Sequence, residues 1–443
     1  MPPNNDEFNP AGDLARRNVE LLLQKNREDT GIDYARVQPR PIQSVAIVGT
    51  GMMGTAIAAV HVKHDLPVVI ADPDDRMLAG AAGRITAELA EHGEWPEAEC
   101  AGRVGRLVEP SADWARVAGC DLVLESVVEA ADVKRRVYAR LEPHLSQGAI
   151  LASNTSTIPV GQLAAGLARP DRFCGIHFFH PVRRRLLVEI VRGPETRDDT
   201  VATAVGFAKR IGKMPIVVTD GPAFLVNRLL LPYLAEALDL LLDGATIDQV
   251  ERAATEFGMA IGPLRFLDEI GIDTIVHGAR TLWRAFPDRL VVSPLLIAMF
   301  KQGRLGRKSG SGFFVYEAEA EGDGAERPDP STEQLIAEWA RPPRQLSRET
   351  IAERMILSMV LEATRLLEEK KVRSAGDVDL AVLFGLGFPK ARGGLLYWAD
   401  QMGANRIVEM LRPLEQLGER ARPTPLLLET ASRGCRFYDL DQR

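Results

Sequence analysis

Residues 45–54 read Val45-Ala46-Ile47-Val48-Gly49-Thr50-Gly51-Met52-Met53-Gly54. The first four are apolar and mostly β-branched, which suits a short buried strand. The glycines follow at once in the spacing G-x-G-x-x-G. The first permits a tight turn, the second lets the backbone approach a pyrophosphate, and the third lets a following helix close on the strand. The helical-period segment Thr55–His64 would then present first-turn N–H groups and a partial positive charge to an anion. The motif alone is weak, because a glycine-tight turn between strand and helix needs no cofactor. Its neighbours decide the reading.

Outward from that stretch, short apolar runs recur at Val68–Ala71, Leu122–Leu124 and Ala149–Ala152. Helical-period segments such as Ala131–Leu141 separate them, and strands alternating with helices predict a mainly parallel sheet. Asp72 closes the second run, 23 residues after Gly49. A carboxylate there suits a ribose 2′-hydroxyl. Pro73-Asp74-Asp75 adds negative charge that would repel a 2′-phosphate, so NAD is favoured over NADP. The fold expected is α/β, with a Rossmann-type NAD-binding domain over residues 43–221 followed by two related all-α domains.

After Asp220-Gly221-Pro222 the strand signals fade. A helical domain is expected over 222–316, a solvated linker rich in Glu, Asp, Pro and Ala over 317–344, and a second helical domain over 345–443. The two helical domains read as a repeat. Arg228 and Glu236-Ala237 recur as Arg354 and Glu362-Ala363 at an offset of 126 residues. Phe257-Gly258 and Pro263 recur as Phe384-Gly385 and Pro389, and Asp268 and Gly271 as Asp400 and Gly403. Residues 1–42 read as an N-terminal extension carrying a short amphipathic helix around Val19, Leu21, Leu22 and Leu23, either a surface element or one that docks a partner.

Composition narrows the function. At about 150 residues per domain, 443 residues suit roughly three domains. The chain has 54 Lys+Arg against 61 Asp+Glu, a formal net charge of −7, so it lacks the basic footprint of a nucleic-acid binder. Its four cysteines form no C-x-x-C pair, no His/Cys group has metal spacing, and no metal is expected. No apolar run approaches the roughly 18 residues that a membrane span needs. The polar start of the chain lacks the apolar core of a secretory signal, and a cytoplasmic location is expected.

Two polar clusters fall where strand ends are expected: Ser153-Asn154-Thr155-Ser156 and His177-Phe178-Phe179-His180-Pro181. Ligands gather at such carboxyl ends in a parallel sheet. Glu189 interrupts the apolar run Leu186–Ile190, and a buried carboxylate needs a partner. His177 is a candidate. Oxidation of an alcohol by NAD removes a hydride from carbon and a proton from oxygen. An imidazole can take that proton near neutral pH while a carboxylate orients the ring. Ser156 and Asn227 are candidates to hold substrate oxygens.

With these residues in hand, the chain resembles the L-3-hydroxyacyl-CoA dehydrogenases. The resemblance rests on Gly49–Gly54, Glu125–Glu129, Ser153–Ser156, His177–Pro181, Leu187–Ile190, Asp220–Arg228 and Gly306–Phe314, over about residues 43–316. It implies oxidation of a 3-hydroxyacyl-CoA, as in fatty-acid β-oxidation, with His177 as acid/base, Glu189 as its partner, and Ser156 and Asn227 on the substrate. It also implies a cofactor site of Gly49, Gly51, Met52, Met53, Gly54, Asp72, Glu129, Lys134, Ser156, His180 and Lys308. The second helical domain looks like the tail of the multifunctional fatty-acid oxidation proteins, without their hydratase/isomerase module. A separate enoyl-CoA hydratase or thiolase is therefore an expected partner. The family often dimerises through its helical domain, and a second helical unit would cover that surface within one chain.

The sequence departs from the family pattern at two places. His180 stands where the family usually has Asn. The stretch Glu88, Glu91, Glu94, Glu97 and Glu99 is acidic where the family is often basic, which keeps open a carrier-protein thioester or a free 3-hydroxy acid as substrate. The acidic stretch reads as a solvated helix face. Arg183-Arg184-Arg185 is a candidate for the missing positive charge. A reading of another class is a non-catalytic NAD-binding scaffold, against which the retained His177, Glu189, Ser156 and Asn227 argue.

Overall fold

The computed structural model describes residues 10–32, 37, 39–91, 93–316 and 327–440. Its contacts divide into two units. One runs from Leu23 to Phe224, and the other joins the described residues up to Leu22 with those from Leu225 onward. The helix α1 (Pro10–Glu28) contributes to both.

The first unit is built on one eight-stranded sheet. Its strands are β1 (Val45–Val48), β2 (Val68–Ala71), β3 (Val108–Pro110), β4 (Leu122–Glu125), β5 (Ile150–Ser153), β6 (Phe173–Phe178), β7 (Leu187–Arg192) and β8 (Met214–Thr219). Their order is β3-β2-β1-β4-β5-β6-β7-β8, and all pairs are parallel except β6 with β7. Strands β1, β2 and β4 are buried along their whole length, as apolar runs covered on both faces must be. The chain leaves β1 for β2 on one side and reaches β4 on the other. The crevice of ligand binding in such sheets opens at that reversal. Helices α2 (Met52–Lys63), α3 (Ala81–Ala90), α4 (Ala131–Leu141) and α5 (Asp198–Arg210) cover the sheet, and α3 packs on α2.

The second unit is helical. Two of its long helices, α6 (Val226–Leu242) and α7 (Arg348–Glu368), pack together with reciprocal ion pairs. Arg228 Nε donates to Glu362 at 2.7 Å, and Arg354 Nη2 donates to Glu236 at 2.9 Å. Arg228 and Arg354 are the repeated arginines, and Glu236 and Glu362 the repeated glutamates. Residue and partner thus exchange places between the two copies. The same repetition governs two carboxylate anchors. Glu251 accepts from the amides of Leu264 and Arg265, as Asp379 does from those of Leu396 and Tyr397. Asp268 accepts from the amides of Phe313 and Phe314, as Asp400 does from those of Phe437 and Tyr438. Burial pushes all four carboxyls up against these donors, Asp379 to about 7 and Asp400 to about 6.

Two segments differ from the sequence reading. The extension is integral to the fold: Ala15, Val19 and Leu22 of α1 are buried, Asn18 donates to Gly393 O, and Asn26 donates to Pro215 O. The buried residues recur at helical spacing, whereas Leu14 and Leu21 face outward. In the segment read as a linker, 327–344 contains the helix Pro330–Trp339, capped by Asp329 with Pro330 at its first position, while 317–326 lie outside the described residues. An Asp-Pro start is a helix signal that composition alone hides.

Candidate active site

The glycine turn follows β1 directly. Gly49 has φ +105°, and a Cβ there would lie 2.5 Å from Ser126 O. A Cβ on Gly54 would lie 1.8 Å from Gly49 O, whereas one on Gly51 would meet open space. The turn therefore closes tightly against β4 and α2 and leaves a cradle at Gly51. No side chain caps α2, so its first-turn amides at Met52, Met53 and Gly54 present themselves to an anion. Met52 is 65% exposed beside them. Asp72 holds the turn from β2: its Oδ2 accepts from Thr50 N at 2.6 Å and Thr50 Oγ1 at 2.9 Å. Its Oδ1 accepts from Asp74 N, which leaves lone-pair capacity for a ribose hydroxyl. These residues fit a dinucleotide. Arg84 of α3, unremarked in the sequence, donates to Thr50 O at 3.1 Å and to Met77 O.

Beside the turn, the ends of β4 and β5 carry a buried polar network. Glu125 takes Val127 N and Lys134 Nζ on one oxygen, and Tyr138 Oη and Ser153 Oγ on the other, all at 2.7–2.8 Å. Lys134, only 1% exposed, also lies 3.3 Å from Glu129. Glu129 in turn accepts from the amides of Ser156 at 2.8 Å and Thr157 at 3.0 Å. Burial pushes the Glu129 carboxyl up, but Lys134 and the donors of residues 155–157 outweigh it and hold it below the usual carboxylate range. Glu129 and Ser156 are thus in direct contact, while Lys134 lies behind them.

His177 and Glu189 sit directly opposite each other in the antiparallel pair of β6 and β7. His177 Nδ1 lies 2.6 Å from Glu189 Oε2, with the two side chains 6% and 0% exposed. Phe179 packs beside the imidazole, with ring centroids 4.4 Å apart. Asn154, just after β5, ties the ends of β4 and β6 together: its Oδ1 accepts from Phe178 N at 2.9 Å, and its Nδ2 donates to Ser126 Oγ. The structure thereby gathers Ser156, His177 and Glu189 at the carboxyl end of the sheet.

His180 is exposed after β6. Partial burial lowers its pKa, with Arg183 and Arg185 acting the same way and Glu88 and Glu91 opposing. One arginine of the triplet and two glutamates of the acidic stretch, separate features in the sequence, prove to be partners. Arg183 donates to Glu88 at 3.0 Å and lies 2.6 Å from Glu91. Glu88 and Arg183 are thus not the solvated face and the spare cation that sequence suggested. Asn227 and Lys308 belong to the helical unit, Asn227 in the first turn of α6 and Lys308 paired with Asp273. Among the described residues no His, Cys, Asp or Glu group could hold a metal ion, and no helix is long and apolar enough to cross a membrane.

Comparison with known proteins gives this arrangement its context. Residues 44–221 match the family model of the 3-hydroxyacyl-CoA dehydrogenase NAD-binding domain, and 224–316 that of the C-terminal domain. The 3-hydroxybutyryl-CoA dehydrogenase of Escherichia coli K12 is 26% identical, with a TM-score of 0.78 over 89% of this chain and 99% of that one. The (S)-3-hydroxybutyryl-CoA dehydrogenase of Ralstonia eutropha is 34% identical, with a TM-score of 0.59 over 62% of this chain and 100% of that one. The dehydrogenase part of a Caenorhabditis elegans multifunctional enzyme, 24% identical, shares the fold over 94% of this chain and 96% of its own, with a TM-score of 0.67. With both family domains matched in order, the chain belongs to the NAD-dependent 3-hydroxyacyl-CoA dehydrogenase family of oxidoreductases.

Proposed function

We propose that this protein oxidises an L-3-hydroxyacyl-CoA to the 3-oxoacyl-CoA with His177 as the general base. The observation that carries the reading is the 2.6 Å contact between His177 Nδ1 and Glu189, buried at the end of the sheet. NAD, when bound, supplies the acceptor for the hydride. With Nδ1–H donated to Glu189, Nε2 is the nitrogen that takes the hydroxyl proton. Glu189 then stabilises the imidazolium, and in the reverse direction His177 returns the proton. Ser156 and Asn227 hold substrate oxygens. Gly49, Gly51 and Gly54 with the Met52 and Met53 amides take the pyrophosphate, and Asp72 takes the ribose. His180, Glu129 and Lys308 are the remaining contacts we assign to the cofactor.

Two observations support a CoA thioester over a carrier-protein thioester or a free acid. The relatives from Escherichia coli and Ralstonia eutropha are named for 3-hydroxybutyryl-CoA. The acidic stretch that kept the alternatives open is partly neutralised by Arg183. The test is NADH consumption with acetoacetyl-CoA beside a His177→Ala control. Turnover that vanishes in the control is expected. Absent turnover with intact NADH binding would overturn the proposal and favour the other substrates or the scaffold reading.

A further inference from the structure

The first unit ends in Asp220-Gly221-Pro222-Ala223-Phe224, and the backbone there is strained. Phe224 N donates to Gly221 O at 3.3 Å, closing a four-residue turn with Pro222 second and Ala223 third. Ala223 has φ +62°, and a positive φ at the third place of a turn is where glycine is usual. Phe224 follows at φ +53°, so two adjacent residues with side chains lie in the left-handed region. Such strain persists only where the surrounding structure imposes it, and it gathers at functional sites. Asp220 anchors the turn from one side, its carboxylate accepting from Val160 N and Gly161 N at 2.7 Å each. Burial of Ala223 and Phe224 holds it from the other. What the strain achieves is a position: the Phe224 ring lies beside the imidazole of His177, with centroids 5.8 Å apart. No step above uses Phe224.

We propose that Phe224 is a positioning residue for the base, held against the His177 imidazole by the strained Ala223-Phe224 backbone. This rests on the assignment of His177 as the base. Phe179 and Phe224 together set two aromatic rings against the imidazole, at 4.4 and 5.8 Å between centroids. Filling that space does two things. It blocks the ring turns that would take Nδ1 off Glu189, so Nε2 stays the nitrogen open to the substrate. It also keeps water from the Nδ1–H bond to Glu189, which is electrostatically stronger in dry surroundings. Relaxing either residue of the pair to a negative φ would swing the phenyl away from the imidazole. The strain is thus the cost of bringing a ring from the very end of the unit to a side chain on β6.

The test compares Phe224→Ala and Phe224→Leu with wild type. Proton NMR without ligands follows the His177 Nδ1–H, identified by its absence in His177→Gln. Kinetics with acetoacetyl-CoA give kcat and KM, and a fluorescence titration gives the NADH dissociation constant. In wild type we expect a resolved downfield resonance, because a proton in a short buried bond exchanges slowly with water. In Phe224→Ala its exchange should quicken at least about tenfold and kcat fall about 10–100-fold, with KM and the NADH constant within about twofold. Phe224→Leu keeps apolar cover without the breadth of the ring, and should move exchange and kcat the same way by less. Unchanged exchange or unchanged kcat in Phe224→Ala would overturn the proposal. So would a loss carried wholly by KM, the mark of a substrate contact, or a wild type without the resolved resonance. Should Phe224→Ala fail to fold, unchanged exchange in Phe224→Leu is the overturning result. A wild type that shows the resonance and does not turn over would refute the function proposed above, while exchange in the variants still judges the placing of Phe224.

Discussion

His177 and Glu189 meet because β6 and β7 are antiparallel and in a register that places them opposite each other. Both were legible in sequence, since a charge inside an apolar strand demands a partner. We expect Glu189→Gln to lower kcat by about 10²–10⁴, because an amide cannot stabilise the imidazolium, while NADH affinity stays unchanged. A loss below about fivefold would show that the carboxylate is dispensable. What sequence could not show at this scale was the pairing of Arg183 with Glu88 and Glu91. The partners lie about 95 residues apart and meet only once the sheet is assembled.

At the scale of elements, the glycine turn was readable because its spacing encodes backbone geometry directly. Gly54→Ala would drive a methyl into Gly49 O, so we expect NADH affinity to fall more than about tenfold in a fluorescence titration, with the fold retained. Helix α1 was readable as a helix but not as an integral one, because its buried stripe is short and the surface it meets comes from distant segments. The end of the chain carries a second prediction. Tyr438 Oη donates to Asp379 at 2.7 Å, and burial raises that carboxyl to about 7. A carboxyl raised on folding binds its proton more readily in the native state, so its ionisation lowers stability as pH rises from about 4 to about 7. The tyrosine offsets this only when the carboxylate is charged. Tyr438→Phe should therefore cost about 1.5–3 kcal/mol in denaturant unfolding near pH 8 and distinctly less near pH 5.5. Equal losses at the two pH values would remove the charge-dependent role.

For the whole molecule, the repeat of Arg228 and Glu236 in Arg354 and Glu362 was visible as spacing. Its meaning was not, because spacing does not say which arginine meets which glutamate. The exchange of partners across α6 and α7 sets the two ion pairs at matching positions, with Glu369 added beside Arg228 and Asp243 beside Arg354. We expect Arg228→Met and Arg354→Met each to destabilise the fold, by less than the about 3–5 kcal/mol of a wholly unpaired buried carboxylate, since Arg365 remains beside Glu362 and Arg420 beside Glu236. An unfolding midpoint shifted by one substitution and not the other would show that only one pair bears load.

That exchange of partners has a consequence for divergence. Between two copies of one chain, every substitution at such a seam is made twice, once on each side of the axis, so any change must suit both sides together. Joined in a single chain, the halves inherit substitutions separately, and each can specialise while the seam holds. At the offset that matches Arg228 to Arg354, Asn227 has Glu353 as its counterpart. The residue we propose for a substrate oxygen thus stands in the first half alone, and a glutamate takes its position in the second.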